Sequence, residues 1–526
     1  MNTTNKVQNA IFLAAGFGSR FVPLTYETPK GLLEVHGQPM IERQIEQLHE
    51  VGVRDISIVV GYKKEQFDYL IDKYGVKLVY NSEYASKNNL SSLYRVLDRL
   101  GSTYLLMSDH YIEKNIFSAT ESDSWLSCCY FTGATDEWCV STDESGRIAA
   151  VSVGGMDSYA MLGPAYFTAA FSAQFCQYAE EYYQRPGTGD FYWEHILKEN
   201  IATLPIYANF QDGNVHEFEN LEELRAYDPA YNIASNNQIM RTIAQVYNIS
   251  EGEVRDIAPV KVGMTNRSFT FSHGGVKYIM RMPGEGTDKL IDRQQEYEAY
   301  QAILPQGLCD KMVYIDPASG YKIAEYIEDA RVCDPLCEAD LAACMKKLRS
   351  FHGMKLSVGH TFDPFERIQF YESLWTQGSA FRDYAQTKQN VMSLKSYLDT
   401  VEKEWTLAHI DAVPDNFLIV GDDDIRLIDW EYAGMQDPHI DIAMFAVYAM
   451  YEREQIDHLI DCYFAGDCPT DVRTKIYAYV AVCGLLWSNW CEFKRHNGVE
   501  FGEYSLWQYR YAKDYYRIFR EMEEGK

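Results

Sequence analysis

From residue 9 the chain alternates short apolar runs with amphipathic segments, and this alternation limits its possible folds more than any other feature. NAIFLAAG reads as a buried strand and DISIVVGY, VKLVYN and TYLLMSDH as further strands, while MIERQIEQLHEVG, KKEQFDYLIDKYG and NLSSLYRVLDRL between them carry a helical period. Strand and helix in turn, with short loops, predict an α/β domain whose mostly parallel sheet is covered on both faces. Ligands of such sheets gather at the carboxyl ends of the strands. A glycine loop after Leu13 and an aspartate ending LLMSD, Asp109, both fall at that edge.

The pattern changes near residue 228, and 526 residues are too many for one ordinary core. Residues 1–228 are expected to form the first domain. Residues 229–247 should form a linker and lead helix, with Pro229 ahead of a Ser235 cap. Residues 248–526 should form the second domain, which opens with a hairpin turning at Gly274 and Gly275 and is chiefly helical after about 335.

A net charge of −28 argues against nucleic acid or an anionic membrane as partner. The twelve cysteines include no CxxC and suggest neither a zinc framework nor a secreted disulfide scaffold. With no signal peptide and no apolar run of about 20 residues, the expectation is a cytoplasmic protein without a membrane span. The oligomeric state is not legible in the sequence.

Two stretches carry chemistry. In GFGSRFVPLTYETPK, Gly16 and Gly18 follow a buried strand, so backbone N–H groups can approach a triphosphate, with Arg20 and Lys30 adding positive charge. Attack of one phosphate on another brings anions together, which fixed cations and a metal must offset. Far downstream, HIDAVPDNF has the form H-x-D-x-x-x-x-N, followed by a strand, a GDDD turn and IRLIDWEYAG. This is the order in which phosphoryl-transfer enzymes place a hydroxyl-orienting Asp, an Asn and a second Asp for Mg²⁺.

The run G-x-G-[ST]-R-x-x-P-x-T-x-x-x-P-K resembles the signature of nucleotidyltransferases with Rossmann-like folds. YNSEYASKNNLSSLY, DEWCV and FYWEHIL bring the likeness nearer the bacterial CTP:phosphocholine cytidylyltransferases. That resemblance implies catalytic roles for Lys30 and Arg20, and nucleotide contacts from Leu13, Ala14, Ala15, Gly16, Gly18, Ser19, Asn89 and Ser91. It implies Mg²⁺ ligands at Asp109 and at Glu194, where the family usually has Asp. Trp138, Tyr192 and Trp193 either line a trimethylammonium pocket or fill the core.

The second set resembles the choline and ethanolamine kinases, above all the bacterial choline kinases of lipopolysaccharide and teichoic-acid decoration, through HIDAVPDNF, IDWEYAG, LRSFHGMKL and FDPFERIQFYE. It implies a bilobal, protein-kinase-like α+β domain with Asp411 as catalytic base and Asn416 and Asp429 as Mg²⁺ ligands. Thr265, Asn266 and Arg281 would meet ATP phosphates, Glu296 would pair with Arg281 (Lys277 being out of pattern), and Glu325 with Tyr326 would form the hinge. Glu431, Tyr432, Trp487 and Trp490 would border choline, although position 484, often Trp in the family, is Gly here. Together the resemblances imply choline and ATP giving phosphocholine, then phosphocholine and CTP giving CDP-choline. The alternatives are the same steps on ethanolamine or another small amine, a sugar nucleotidyltransferase joined to a sugar or antibiotic kinase, and a binding protein with one inactive domain.

Overall fold

The computed structural model describes residues 4–260, 266–284, 287, 290–421 and 424–524. The chain divides into two compact units, Met1–Pro259 and Val260–Lys526.

The first unit is built on a seven-stranded mixed sheet. Its strands are β1 (Asn9–Ala14), β2 (Ile56–Val60), β3 (Lys77–Tyr80), β4 (Thr103–Met107), β6 (Trp125–Thr142), β7 (Ile148–Phe167) and β8 (Tyr207–Phe210), in the order β8-β6-β7-β4-β1-β2-β3. β1 pairs in parallel with β2 and β4, β2 with β3 and β6 with β8, whereas β7 runs antiparallel to β4 and β6. Alternate residues of β1 enter two different cores, as expected of a strand buried on both faces. Ala10 and Phe12 meet Ile41, Ile45 and Leu48 of helix α1 (Met40–Glu50). Ile11 and Leu13 share the other core with Leu90 and Leu93 of α2 (Asn89–Tyr94), Phe171 and Phe175 of α3 (Ala169–Gln184), and Ile196 of α4 (Glu194–Asn200). A small antiparallel pair, β5 (His110–Ile112) with β9 (Val215–Glu217), continues from the end of β4.

The segment expected as a linker packs within this unit. Asp228 Oδ2 accepts the His36 amide at 2.7 Å, and Tyr231 donates to the Glu34 carbonyl at 2.7 Å. The lead helix α5 (Gln238–Tyr247) is capped by Asn237, which accepts the Met240 amide at 2.9 Å, and not by Ser235, whose hydroxyl and amide are bound to Glu251. Glu27, two residues before Pro29, accepts the amides of Gln238 and Ile239 at 2.8 and 3.0 Å. Two carboxylate-bound amides on a positive helix end thus tie α5 to the signature loop.

In the second unit β10 (Asn266–His273) and β11 (Val276–Pro283) form the expected hairpin, with Gly274 and Gly275 at φ 59° and 79° as a two-residue turn of the primed type demands. β11 pairs with β13 (Lys322–Glu325), which pairs with β12 (Met312–Ile315), and α6 (Arg293–Ile303) follows the hairpin. The remainder is helical around one large core. Its helices include α7 (Glu338–Gly353), α8 (His439–Tyr448), α9 (Arg453–Phe464), α10 (Thr470–His496) and α11 (Glu503–Glu524), and its few short strands include the hairpin of β14 (Phe417–Val420) and β15 (Asp424–Leu427). Among the described residues no helix is long and apolar enough to cross a membrane.

Gly484 lies where α10 meets α11. A Cβ there would stand 2.7 Å from Tyr511 Cβ and 2.8 Å from the Ala512 amide nitrogen and the Gln508 carbonyl oxygen. Close helix contact therefore explains why this chain has no Trp at the position. Gly484→Leu is expected to lower stability by about 1–3 kcal/mol, because overpacking against backbone outweighs a helix-propensity gain of about 1 kcal/mol. Urea unfolding checks this, and an unchanged or higher midpoint would contradict it.

Two candidate active sites

The chain leaves β1 into the glycine loop and returns through Pro29-Lys30-Gly31 to the end of β4. Gly18 adopts φ 68°, and a Cβ there would lie 3.2 Å from Lys30 Cβ; one on Gly31 would lie 2.5 Å from Ser108 Oγ. These two glycines let the loop fold down until Lys30 Nζ is 2.8 Å from Asp109 Oδ2 and 3.7 Å from Glu217 Oε1. The cleft above encloses about 450 Å³ and is lined by Leu13 to Gly16, Gly18, Ser19, Arg20, Lys30, Asn89, Asp109 and Tyr192. Arg20 is exposed and pairs with Glu219.

Burial would raise the Asp109 carboxyl, but the Lys30 ammonium and His110 hold it below its usual range. Burial would likewise lower Lys30, and Asp109 and Glu217 hold it above. Glu217 and His110 escape a reading of the sequence. They face each other in the β5–β9 register, with His110 Nε2 3.2 Å from Glu217 Oε2. Against its burial, Glu217 keeps His110 above the ordinary imidazole value. Their strands are only three residues long, so no periodicity marks them. Glu194 is half-buried, and burial pushes it up to about 7. Asn89 Nδ2 lies 3.5 Å from its Oε2. Among the described residues no three His, Cys, Asp or Glu donors converge within 4.8 Å in this cleft.

Three sequence expectations shift here. Ser91 is buried inside the α2 turn, accepting from Asn81 at 2.9 Å and donating to the Asn88 carbonyl at 2.7 Å; Ser92 lines the cleft instead. Trp193 is a core residue, its ring 5.9 and 6.2 Å from Phe167 and Phe175. Trp138 packs edge-on against His195 at 4.8 Å and is not in the cleft lining, so Tyr192 alone of the three aromatics reaches it.

In the second unit the catalytic-type loop is held from below. Asp441 of α8, fully buried, accepts the amides of His409 and Ile410 at 2.8 and 2.7 Å and lies 2.9 Å from His352 Nε2 of α7. Tyr463 of α9 holds the other ring nitrogen of His352 at 2.8 Å. Ile410 and Asp429 have φ 69° and 67°. For a β-branched residue such a backbone costs about 1–3 kcal/mol and persists only where neighbours impose it. Asp441 is that neighbour for Ile410.

Asn416 donates to the Asp411 carbonyl at 2.8 Å and to its Oδ2 at 3.1 Å, joining two of the expected residues. Burial, with Asp429 adding to it, raises Asp411 to about 7. Asp429 Oδ1 is buried without a hydrogen bond, 3.8 Å from both Arg281 and Lys322. These cations overcome burial and hold Asp429 low. Glu431 accepts from Asn266 at 3.0 Å, and burial together with Asp429 raises it. The ligand-type oxygens of Glu296, Asp429 and Glu431 lie within 4.8 Å of one another.

The expected Glu296–Arg281 pair is replaced. Glu296 pairs with Lys322, a lysine the sequence reading passed over, and with Arg293 at 3.0 Å. Arg281 and Lys322 are cross-strand partners on β11 and β13, so both project to one face and Lys322 takes the glutamate. Lys277 is elsewhere, over the Tyr326 ring at 4.5 Å, and the Glu325 carboxylate is occupied by Lys311. Thr265 lies outside the described residues.

Tyr432 and Trp487 meet edge-on at 6.2 Å. Trp490 backs Trp487 at 5.7 Å but is only 2% exposed and packs on Phe501, so it belongs to the core and not to a substrate wall. Glu431 and Tyr432 also line a cleft of about 280 Å³ with Asp363, Glu366 and Phe370.

Comparison with known proteins divides the chain in the same way. Residues 257–462 match the family model described as choline/ethanolamine kinase, and residues 10–110 that of the MobA-like NTP transferase domain. The N-terminal part is 40% identical over 228 residues to a 2-aminoethylphosphonate cytidylyltransferase of Lancefieldella rimae, covering 42% of this chain and 93% of the relative. It is 37% identical over 217 residues to a choline-phosphate cytidylyltransferase of Streptococcus pneumoniae, covering 41% and 95%. The C-terminal part is 28% identical over 260 residues to Protein LicA of Haemophilus influenzae, covering 46% and 95%. The chain therefore belongs to the bacterial cytidylyltransferase family through its N-terminal half and joins to it a choline/ethanolamine kinase domain.

Proposed function

We propose that this chain makes CDP-choline in two steps, phosphorylating choline with ATP in residues 248–526 and transferring a cytidylyl group from CTP to phosphocholine in residues 1–228, with 229–247 between them. The observation that carries the reading is that one chain joins a match to the choline/ethanolamine kinase family with a half that is 37% identical to a choline-phosphate cytidylyltransferase. In the kinase, Asp411 receives the choline hydroxyl proton as that oxygen attacks the γ-phosphorus and ADP departs. Arg281 and Lys322 lie where they can meet phosphate charge, and Tyr432 with Trp487 offers an aromatic corner for a trimethylammonium group. In the other site a phosphocholine oxygen attacks the α-phosphorus of CTP and pyrophosphate leaves, with Lys30 and Arg20 countering the charge.

Asn416 and Asp429 in the kinase, and Asp109 with Glu194 in the cytidylyltransferase, are the residues that would hold Mg²⁺. The buried, unbonded Asp429 Oδ1 and the convergence of Glu296, Asp429 and Glu431 suit a hard cation with oxygen ligands. When bound, Mg²⁺ screens and polarises phosphate oxygens. The setting we infer is the cytoplasm, in keeping with twelve free cysteines and substrates that are nucleotides and small alcohols.

A second reading exchanges choline for ethanolamine. It is favoured by the 40% identity to an enzyme named for a primary amine and by Asp363, Glu366 and Glu431 at the kinase cleft. The phosphonate named for that relative has a C–P bond that no kinase forms, so the attached kinase points to a phosphate ester in either reading.

Separate assays of the two half-reactions test the proposal. Asp411→Ala should lower choline phosphorylation by about 10²–10⁴-fold and leave CDP-choline formation from added phosphocholine intact, and Lys30→Ala should do the reverse. Loss of both activities in either variant, or loss of neither, would contradict the assignment. Lys322→Met should raise KM for ATP and lower kcat more than Lys277→Met does, since it also takes from the buried Glu296 one of its two cations and leaves it to Arg293. Equal effects of the two variants would remove Lys322 from the site.

A further inference from the structure

Outside both sites, Glu338, His458 and Cys462 bring one carboxylate oxygen, one imidazole nitrogen and one thiol sulfur within 4.8 Å of one another. His458 and Cys462 are four residues apart on α9 and so share a face, and Glu338 is the first residue of α7, which packs against α9. Cys462 Sγ is 3.5 Å from His458 Nε2. Tetrahedral Zn²⁺, with bonds of roughly 2.0 Å to nitrogen and 2.3 Å to sulfur, sets those two atoms about 3.5 Å apart. Glu338 Oε2, at 2.6 Å from the same nitrogen, is closer than the roughly 3.3 Å such a site needs. Its side chain is exposed and free to withdraw by that difference. A histidine–glutamate hydrogen bond would not by itself call for a thiol against the same ring nitrogen.

We infer that Glu338, His458 and Cys462 form a binding site for a borderline-soft divalent cation of the Zn²⁺ class, completed by water. A thiolate–imidazole–carboxylate set favours such an ion over Mg²⁺, and exposed Glu338 and His458 leave it an entry path. The ion would pin the first turn of α7 to α9. Those two helices supply His352 and Tyr463, the residues that brace Asp441 beneath the catalytic loop. Zn²⁺ would thereby stiffen the support of the kinase site without entering it.

The test uses metal-stripped full-length protein titrated with Co²⁺ as optical probe, and with Zn²⁺ in thermal unfolding. The expected results are a thiolate-to-cobalt charge-transfer band, binding at least about tenfold weaker in Cys462→Ser and His458→Ala, a Zn²⁺-dependent rise in Tm in the parent only, and a band that excess Mg²⁺ leaves in place. Glu338→Gln, a surface change that spares both helices, should weaken binding while keeping the band. A band absent from the parent, unchanged in Cys462→Ser, or removed by Mg²⁺ would overturn the inference, the last by locating the ion at the active-site carboxylates.

Discussion

A carboxylate withdrawn from water needs a fixed cation or hydrogen-bond donors to keep its charge, and both halves of this chain meet that constraint with a cation at the site. In the first, Lys30 is drawn down by a loop that two glycines allow to close, and it holds Asp109 ionised at the end of β4. In the second, Arg281 and Lys322 project together from adjacent strands and do the same for Asp429. Carboxyls without such a neighbour, Glu194 and Asp411, are pushed up to about 7. The fold therefore determines which of these acids are charged, through the loop that presents Lys30 and the paired strands that present Arg281 and Lys322.

The rigidity of the second site has its own source. Asp441 takes two successive amides of the loop, and the imidazole of His352 fixes Asp441 in turn. This grip sustains the left-handed Ile410, and with it the direction of Asp411. In the first unit, Glu27 at the N-terminus of α5 couples the segment after residue 228 to the signature loop. Two chemistries on one chain gain only a modest local concentration from their tether, so each site must be competent on its own scaffold.

Much of this was legible in the sequence because it rests on local pattern. The alternating strands and helices, the Gly274-Gly275 turn and the residues of both loops fall where periodicity and spacing put them. What was not legible depends on contacts distant in sequence. Lys322 begins a short strand like any surface lysine, and only its register with Arg281 turns it toward Glu296. His110 and Glu217 meet across 107 residues. Trp193 and Trp490 are chemically suited to a cation cage, but their positions face the core. Ser235 yielded the cap to Asn237 because Glu251 engages it.

The central claim is that one chain carries choline to CDP-choline through phosphocholine. A phosphorus NMR time course on the purified protein with Mg²⁺, ATP, CTP and choline, beside a matched ethanolamine sample, tests it most directly. The account predicts a phosphocholine resonance that rises and then gives way to CDP-choline and pyrophosphate, more rapidly than the ethanolamine series. Formation of ADP alone, or consumption of neither alcohol, would contradict it.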